Sequence, residues 1–165
     1  MSKAVLISIR PKWCELILSG KKTIEIRKTR PKLETPFKCY IYCTRFYPGD
    51  PDSMISLKDR KSFFKPESGK VVGEFVCDRV DSLSGRGVVA DWALQDACLS
   101  ETQYAAYRKG KTTYFWHITD LKIYDQPKRL DDFMHWIEIE DGSDFWASVQ
   151  RPPQSWCYVE TLEDQ

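Results

Sequence analysis

Thr23-Ile24-Glu25-Ile26-Arg27 places polar or charged side chains in strict alternation with two isoleucines. A side-chain period of two makes this a strand with one apolar face and one face carrying Thr23, Glu25 and Arg27. The strand comes directly after Gly20, a helix stop, and Lys21-Lys22. Lys28, Arg30 and Lys32 follow it, so the polar face is expected to line the edge of a basic groove. Flanked by cations, Glu25 should stay ionised. The same three side chains then support three different roles. Lys22 and Arg27 can hold a phosphate or a carbonyl oxygen, and Glu25 can accept from a base edge. Glu25 can instead activate a water as a general base. Or all three form an ion network that pins a helix to the sheet.

The pattern around this segment alternates strands with short helices. Ala4–Ile9 reads as a strand, and Pro11 opens a helix whose apolar face is Trp13, Leu16 and Ile17. Phe37–Thr44 is a strand with Tyr40 and Tyr42 on one side and Cys39, Ile41 and Cys43 on the other. Residues 47–69 hold three prolines and two glycines and are expected to be a loop insertion, with a lid as the functional alternative. Lys70–Leu83 is a strand, and 88–98 and 100–108 are helical. Ser100 with Gln103 fits a capping box. Thr112–Tyr124 is a β-rich run, the acidic segment Asp131–Asp144 reads mostly as loop anchored by Phe133, Trp136 and Trp146, and Ser155–Leu162 is a last strand. The fold class expected is α+β, a small mixed β-barrel with two to four short flanking helices. One domain over 1–165 accommodates all of this, with an acidic C-terminal extension at 125–165.

Composition narrows the function. No apolar run approaches the ~20 residues of a membrane span, and the start of the chain lacks a signal-peptide pattern, so a cytoplasmic location is expected. Six scattered cysteines read as buried reduced thiols. Cys39-x3-Cys43 is their one close pair, and with only His117 and His135 beside it no metal or other cofactor is expected. A net charge of +1 conceals asymmetry: residues 1–70 carry 16 Lys+Arg against 7 Asp+Glu, while 71–165 carry 9 against 17. A basic face toward phosphates and mutual neutralisation of the halves are both consistent with that split. The acidic C-terminal segment is a candidate docking point for a protein partner.

Gly20, Lys22, Glu25 and Arg27 fill every position of Gly-x-Lys-x-x-Glu-x-Arg directly after the first helix. In this, and in the entry strand and helix Ile7–Ser19, the chain resembles an ASCH domain of the PUA-like superfamily. The resemblance implies a PUA-like barrel with a cleft lined by the motif, and single-stranded RNA or a nucleotide as ligand. Ser8, Arg10, Lys22, Thr23, Glu25 and Arg27 are the implied ligand-binding residues. A branch of the family hydrolyses acetylated cytidine with a lysine, a threonine three positions on and a later glutamate, and other members are ribonucleases. Lys22 matches that lysine, Glu25 stands in the threonine's place, and Asp96 and Glu101 are candidates for the later acid. If the chain is an enzyme, Lys22 and Glu25 are its implied catalytic pair, and His117 is a possible proton carrier.

Overall fold

A computed structural model describes residues 2–53 and 67–162. Among the described residues, eight strands and three α-helices follow one another as β1 (Lys3–Ile9), α1 (Pro11–Leu18), β2 (Ile24–Arg27), β3 (Phe37–Cys43), β4 (Lys70–Leu83), α2 (Asp91–Ala97), α3 (Glu101–Arg108), β5 (Thr113–Lys128), β6 (Met134–Ile137), β7 (Phe145–Ser148) and β8 (Trp156–Glu160). Six strands form one sheet in the order β2-β5-β4-β3-β1-β8. Only β1 and β3 run parallel. The α+β class holds. Among the described residues no helix is long and apolar enough to cross a membrane.

The expected barrel needs correction, because the sheet is not closed. Strands β2 and β8 remain its two edges and share no backbone ladder. Side-chain hydrogen bonds span the gap instead. Arg27 reaches Ser155, Trp156 Nε1 donates to Thr29 Oγ1 at 2.9 Å, and Tyr158 Oη accepts from the Lys32 amide at 2.7 Å. Strand β2 has only four residues, and Pro31 just beyond it has no amide hydrogen to extend a ladder.

Both faces of β1 are covered, which is why Ala4–Ile9 is an almost unbroken apolar run. Val5, Ile7 and Ile9 join Cys39, Ile41, Cys43, Phe75, Cys77 and Trp116 on the inner face, where α1 adds Cys14, Ile17 and Leu18. Ala4 and Leu6 join Tyr40, Tyr42, Val71 and Val159 on the other, under Phe133 and Val149. The two faces of β3 divide as its alternation requires. A third cluster packs Ile24 and Ile26 against Ala93, Leu94 and Ala97 of α2 and Tyr104 of α3. All six cysteines are free thiols, four of them buried.

Helix α3 carries the capping box: Ser100 Oγ accepts from the Gln103 amide at 3.1 Å, and Gln103 Oε1 accepts from the Ser100 amide at 2.9 Å. Ser100→Ala is expected to lower stability by about 1 kcal/mol, seen as a lower urea midpoint with unchanged slope.

The acidic segment Asp131–Asp144 is mostly loop as expected, apart from β6. Strands β6 and β7 pair as a hairpin, with Trp136 opposite Trp146 and ring centroids 5.3 Å apart. Cross-strand aromatic contact supplies what the short, acid-rich sequence does not advertise. Phe133 is the fully buried anchor. Most of the expected 47–69 insertion, including any lid, lies outside the described residues; Pro51–Ser53 forms a single 3-10 turn.

Candidate functional site

Helix α1 ends at Leu18, and Gly20 takes φ +79°, a left-handed turn that glycine adopts without a Cβ clash. The Lys22 amide then donates back to Leu16 O at 2.9 Å, fixing the entry to β2. From there the pleat sends Ile24 and Ile26 toward the helices, whereas Glu25, opposite Trp116 in the β2–β5 register, points inward.

The motif's charges are therefore buried. Lys22 is 3% exposed, and its Nζ donates to Ala97 O at 2.7 Å while lying 3.4 Å from Glu25 Oε2. Arg27 Nε donates to Glu25 Oε1 at 2.9 Å. The rest of the guanidinium crosses to the far edge of the sheet. Nη2 donates to Ser8 O at 2.7 Å and Nη1 to Ser155 Oγ at 3.2 Å. Ser8 braces the same junction, its Oγ donating to Pro153 O at 2.6 Å and its amide to Ser155 O at 2.9 Å. Planar, multidentate arginine suits this task; a lysine could not satisfy both edges at once.

Burial alone would raise the Glu25 carboxyl, but the Lys22 and Arg27 charges, with the Arg27 hydrogen bond, hold it below the usual glutamate value. Burial pushes the Lys22 ammonium down, and Glu25 opposes that without reversing it. Glu25 is thus an ionised acceptor between two cations. Its Oε2 is buried without a hydrogen-bond donor, the Lys22 contact being a longer ion pair.

Aromatic rings flank the network. Lys22 Nζ sits 5.2 Å from the Trp13 ring, and Lys28 Nζ sits 4.6 Å from that of Tyr107. Burial pushes the Tyr107 hydroxyl up, and the nearby Arg27 charge opposes it. Just past β2, residues 30–35 line a shallow, open surface cleft of about 560 Å³, whose lining includes none of Lys22, Glu25 and Arg27.

Ser8, Lys22, Glu25 and Arg27 are thus brought together. Two of the expected residues stand apart. Arg10 is tied to Asp50 and Asp52, with Nη1 3.1 Å from Asp52 Oδ2, and Thr23 is exposed. Thr23 contributes backbone only, its amide donating to Asp96 O and its carbonyl accepting from the Ile118 amide. Asp96 meets the motif through that carbonyl, and Glu101 is exposed in the first turn of α3. His117 lies in a separate cluster with Arg79 and Asp81. Ser155 and Tyr107 were invisible to motif reasoning. Ser155 is 128 positions from Arg27, and neither residue has a sequence signature.

These features define an α+β domain in which a Lys–Glu–Arg strand is clasped to the opposite edge of a curled sheet. The chain belongs to the ASCH domain family, whose model matches residues 7–142. Its fold is similar to the crystal structure of ASCH from Zymomonas mobilis, at 22% sequence identity and a TM-score of 0.63, covering 95% of this chain and 87% of that one. A tyrosine-to-phenylalanine variant of the Zymomonas mobilis protein is similar at 21% identity and a TM-score of 0.62, covering 96% and 91%. A search of curated proteins finds no match.

Proposed function

We propose that this ASCH domain binds single-stranded RNA or a nucleotide, with the Lys22–Glu25–Arg27 network as the polar floor of the site and the cations after β2 as its rim. The observation that carries this is the contrast between two groups of cations. Arg10 and Lys12 are neutralised by Asp50 and Asp52, whereas among the described residues none of Lys21, Lys28, Arg30 and Lys32 is paired with a carboxylate. Arg30 and Lys32 line the open cleft, where Glu34 is the one acid. Unpaired cations beside a cleft favour a phosphate-bearing ligand. Aromatic rings close to the network suit stacking of unpaired bases.

The test is a salt titration of RNA affinity for wild type and for the double variant Lys28→Ala/Lys32→Ala, whose side chains lie outside the buried network. Loss of two phosphate contacts should weaken binding and reduce the slope of log K against log salt by about 1.4. An unchanged slope would refute the rim assignment, and absence of binding by wild type would refute the function.

A hydrolase acting on a modified nucleoside, such as an N4-acetylcytidine-like amide, is a second reading, and the lowered Lys22 ammonium favours it. Lysines poised this way serve as bases and nucleophiles. Turnover of acetylated cytidine, or cleavage of RNA, abolished by Lys22→Met would establish it; no turnover of either substrate would dismiss it.

A further inference from the structure

A second polar cluster lies outside the motif, at the N-terminal end of β2. Cys77 pairs with Ile118 and Val80 with Trp116, so two residues of β4, Asp78 and Arg79, stand opposite the single His117 of β5. A bulge of this kind twists the strand and redirects its side chains. Here it brings together Arg79, Asp81 and His117. His117 Nε2 is 2.8 Å from Asp81 Oδ2, and Arg79 Nη2 is 3.0 Å from the same oxygen and 3.1 Å from the same nitrogen. Asp81 Oδ1 takes part in none of these contacts, and the Asp81 and Arg79 side chains are 46% and 57% exposed. Arg79 Nε also donates to His117 Nε2 at 3.3 Å, so Asp81 Oδ1 and Arg79 Nη1 are the acceptor and the donor left side by side at the surface.

Trp92 stands over this cluster. It is in the first turn of α2, 51% exposed, with its ring centroid 6.3 Å from that of His117. Its neighbours Ala93 and Leu94 are buried against β2, so Trp92 is the large apolar side chain that the helix leaves at the surface. Asp91 beside it and Asp78 in the bulge make this patch poor in net positive charge. Phosphates are therefore not what it suits. A flat heteroaromatic ring with hydrogen-bonding edges is: indole supplies the stacking face, the Asp81 carboxylate accepts from amino or imino groups, and Arg79 donates to ring nitrogens or carbonyls.

We propose that Trp92, Arg79 and Asp81 form a base-stacking subsite for single-stranded RNA, placed at the far end of β2 from the cationic cleft. The proposal rests on the RNA-binding reading above. The two places are connected along β2 and the loop that follows it: His117 is the register partner of Ile24, the Ile118 amide bonds to Thr23 O, and the cleft begins at Arg30. From residue 24 to residue 30 an extended chain covers at most about 20 Å, a span that a few nucleotides bridge. One end then holds phosphates and the other holds a base.

The experiment measures binding of a labelled single-stranded RNA of about 12 nucleotides to wild type, Trp92→Ala, Trp92→Phe and Lys28→Ala/Lys32→Ala. Trp92→Ala should weaken binding by about 5- to 150-fold with the salt slope unchanged, and Trp92→Phe should restore most of the loss. Trp92 is half exposed, so thermal melting of both variants should match wild type. Asp81→Asn, which turns an acceptor-only group into a mixed donor and acceptor, should alter the ranking among oligo(A), oligo(C), oligo(G) and oligo(U). Wild-type affinity in Trp92→Ala, alongside weakened binding by Lys28→Ala/Lys32→Ala, would overturn the subsite and leave RNA binding standing. No binding by wild type would overturn both.

Discussion

Arg27→Ala is expected to destabilise the domain by about 3–5 kcal/mol, the cost of breaking a buried ion pair by removing one partner. At ~2–4 °C per kcal/mol for a chain of this size, the melting temperature should fall by roughly 6–20 °C. Two losses add here. Glu25 keeps its charge in a buried setting with Lys22 as sole counter-ion, and the carbonyl of Ser8 and the hydroxyl of Ser155 lose the donors that join the sheet's two edges. Arg27→Lys separates these effects, because it restores a cation beside Glu25 without the fork. Its stability should fall between wild type and alanine. Denaturant titration of the three proteins checks the ordering, and an alanine variant within about 1 kcal/mol of wild type, the range of an exposed ion pair, would contradict the clasp.

Glu25→Gln is the second large effect, and its pH dependence makes it specific. At neutral pH the substitution leaves Lys22 and Arg27 buried without their shared anion, at a cost again of about 3–5 kcal/mol. The folded-state value of Glu25 lies below the unfolded one, so its stabilisation is fully present above the unfolded value of ~4.3 and lost as pH falls through the folded value. The gap between wild type and variant should therefore be widest near neutrality and narrow in acid. Lys22 acts at the other end. Because its folded-state value is lowered, the unfolded chain binds more protons between that value and the ordinary lysine value of ~10.4, and the stability of the wild type gains from this as pH rises through that window. Urea midpoints from pH 3 to pH 7 measure the first effect. A gap that stays constant across that range would show that the Glu25 charge is not what stabilises the fold.

The motif was legible in the sequence because local rules govern it. Gly20 ends the helix, the alternation of β2 sets which residues share a face, and the spacing of Lys22, Glu25 and Arg27 follows from both. What the alternation did not reveal is the depth of that polar face. Thr23, Glu25 and Arg27 sit at equivalent positions in the pattern, yet Thr23 is exposed while Glu25 and Arg27 are enclosed. The difference comes from curling of the sheet, which carries the 153–155 segment over the inner pair. Arg10 stands apart from the motif for a similar reason, since its acidic partners Asp50 and Asp52 arrive from a later part of the chain. The capping box of α3 and the two faces of β3 were readable because each depends on residues a few positions apart. The β6–β7 hairpin was not, because its pairing rests on tryptophans ten positions apart in an acidic stretch.

The clasp also has a kinetic meaning. Ser8 Oγ and Pro153 O, which meet at 2.6 Å, are 145 positions apart, and β1 completes its ladder only when β8 docks beside it. Contacts of such sequence separation carry a large loop-closure entropy and slow the search for the native state. Until β8 is in place, Arg27 lacks its Ser155 partner and one edge of β1 is an unpaired template for other strands. The enclosure of Glu25 thus depends on the β1–β8 pairing, the most distant strand pairing among the described residues, and a folding intermediate without it would hold the motif's charges in water.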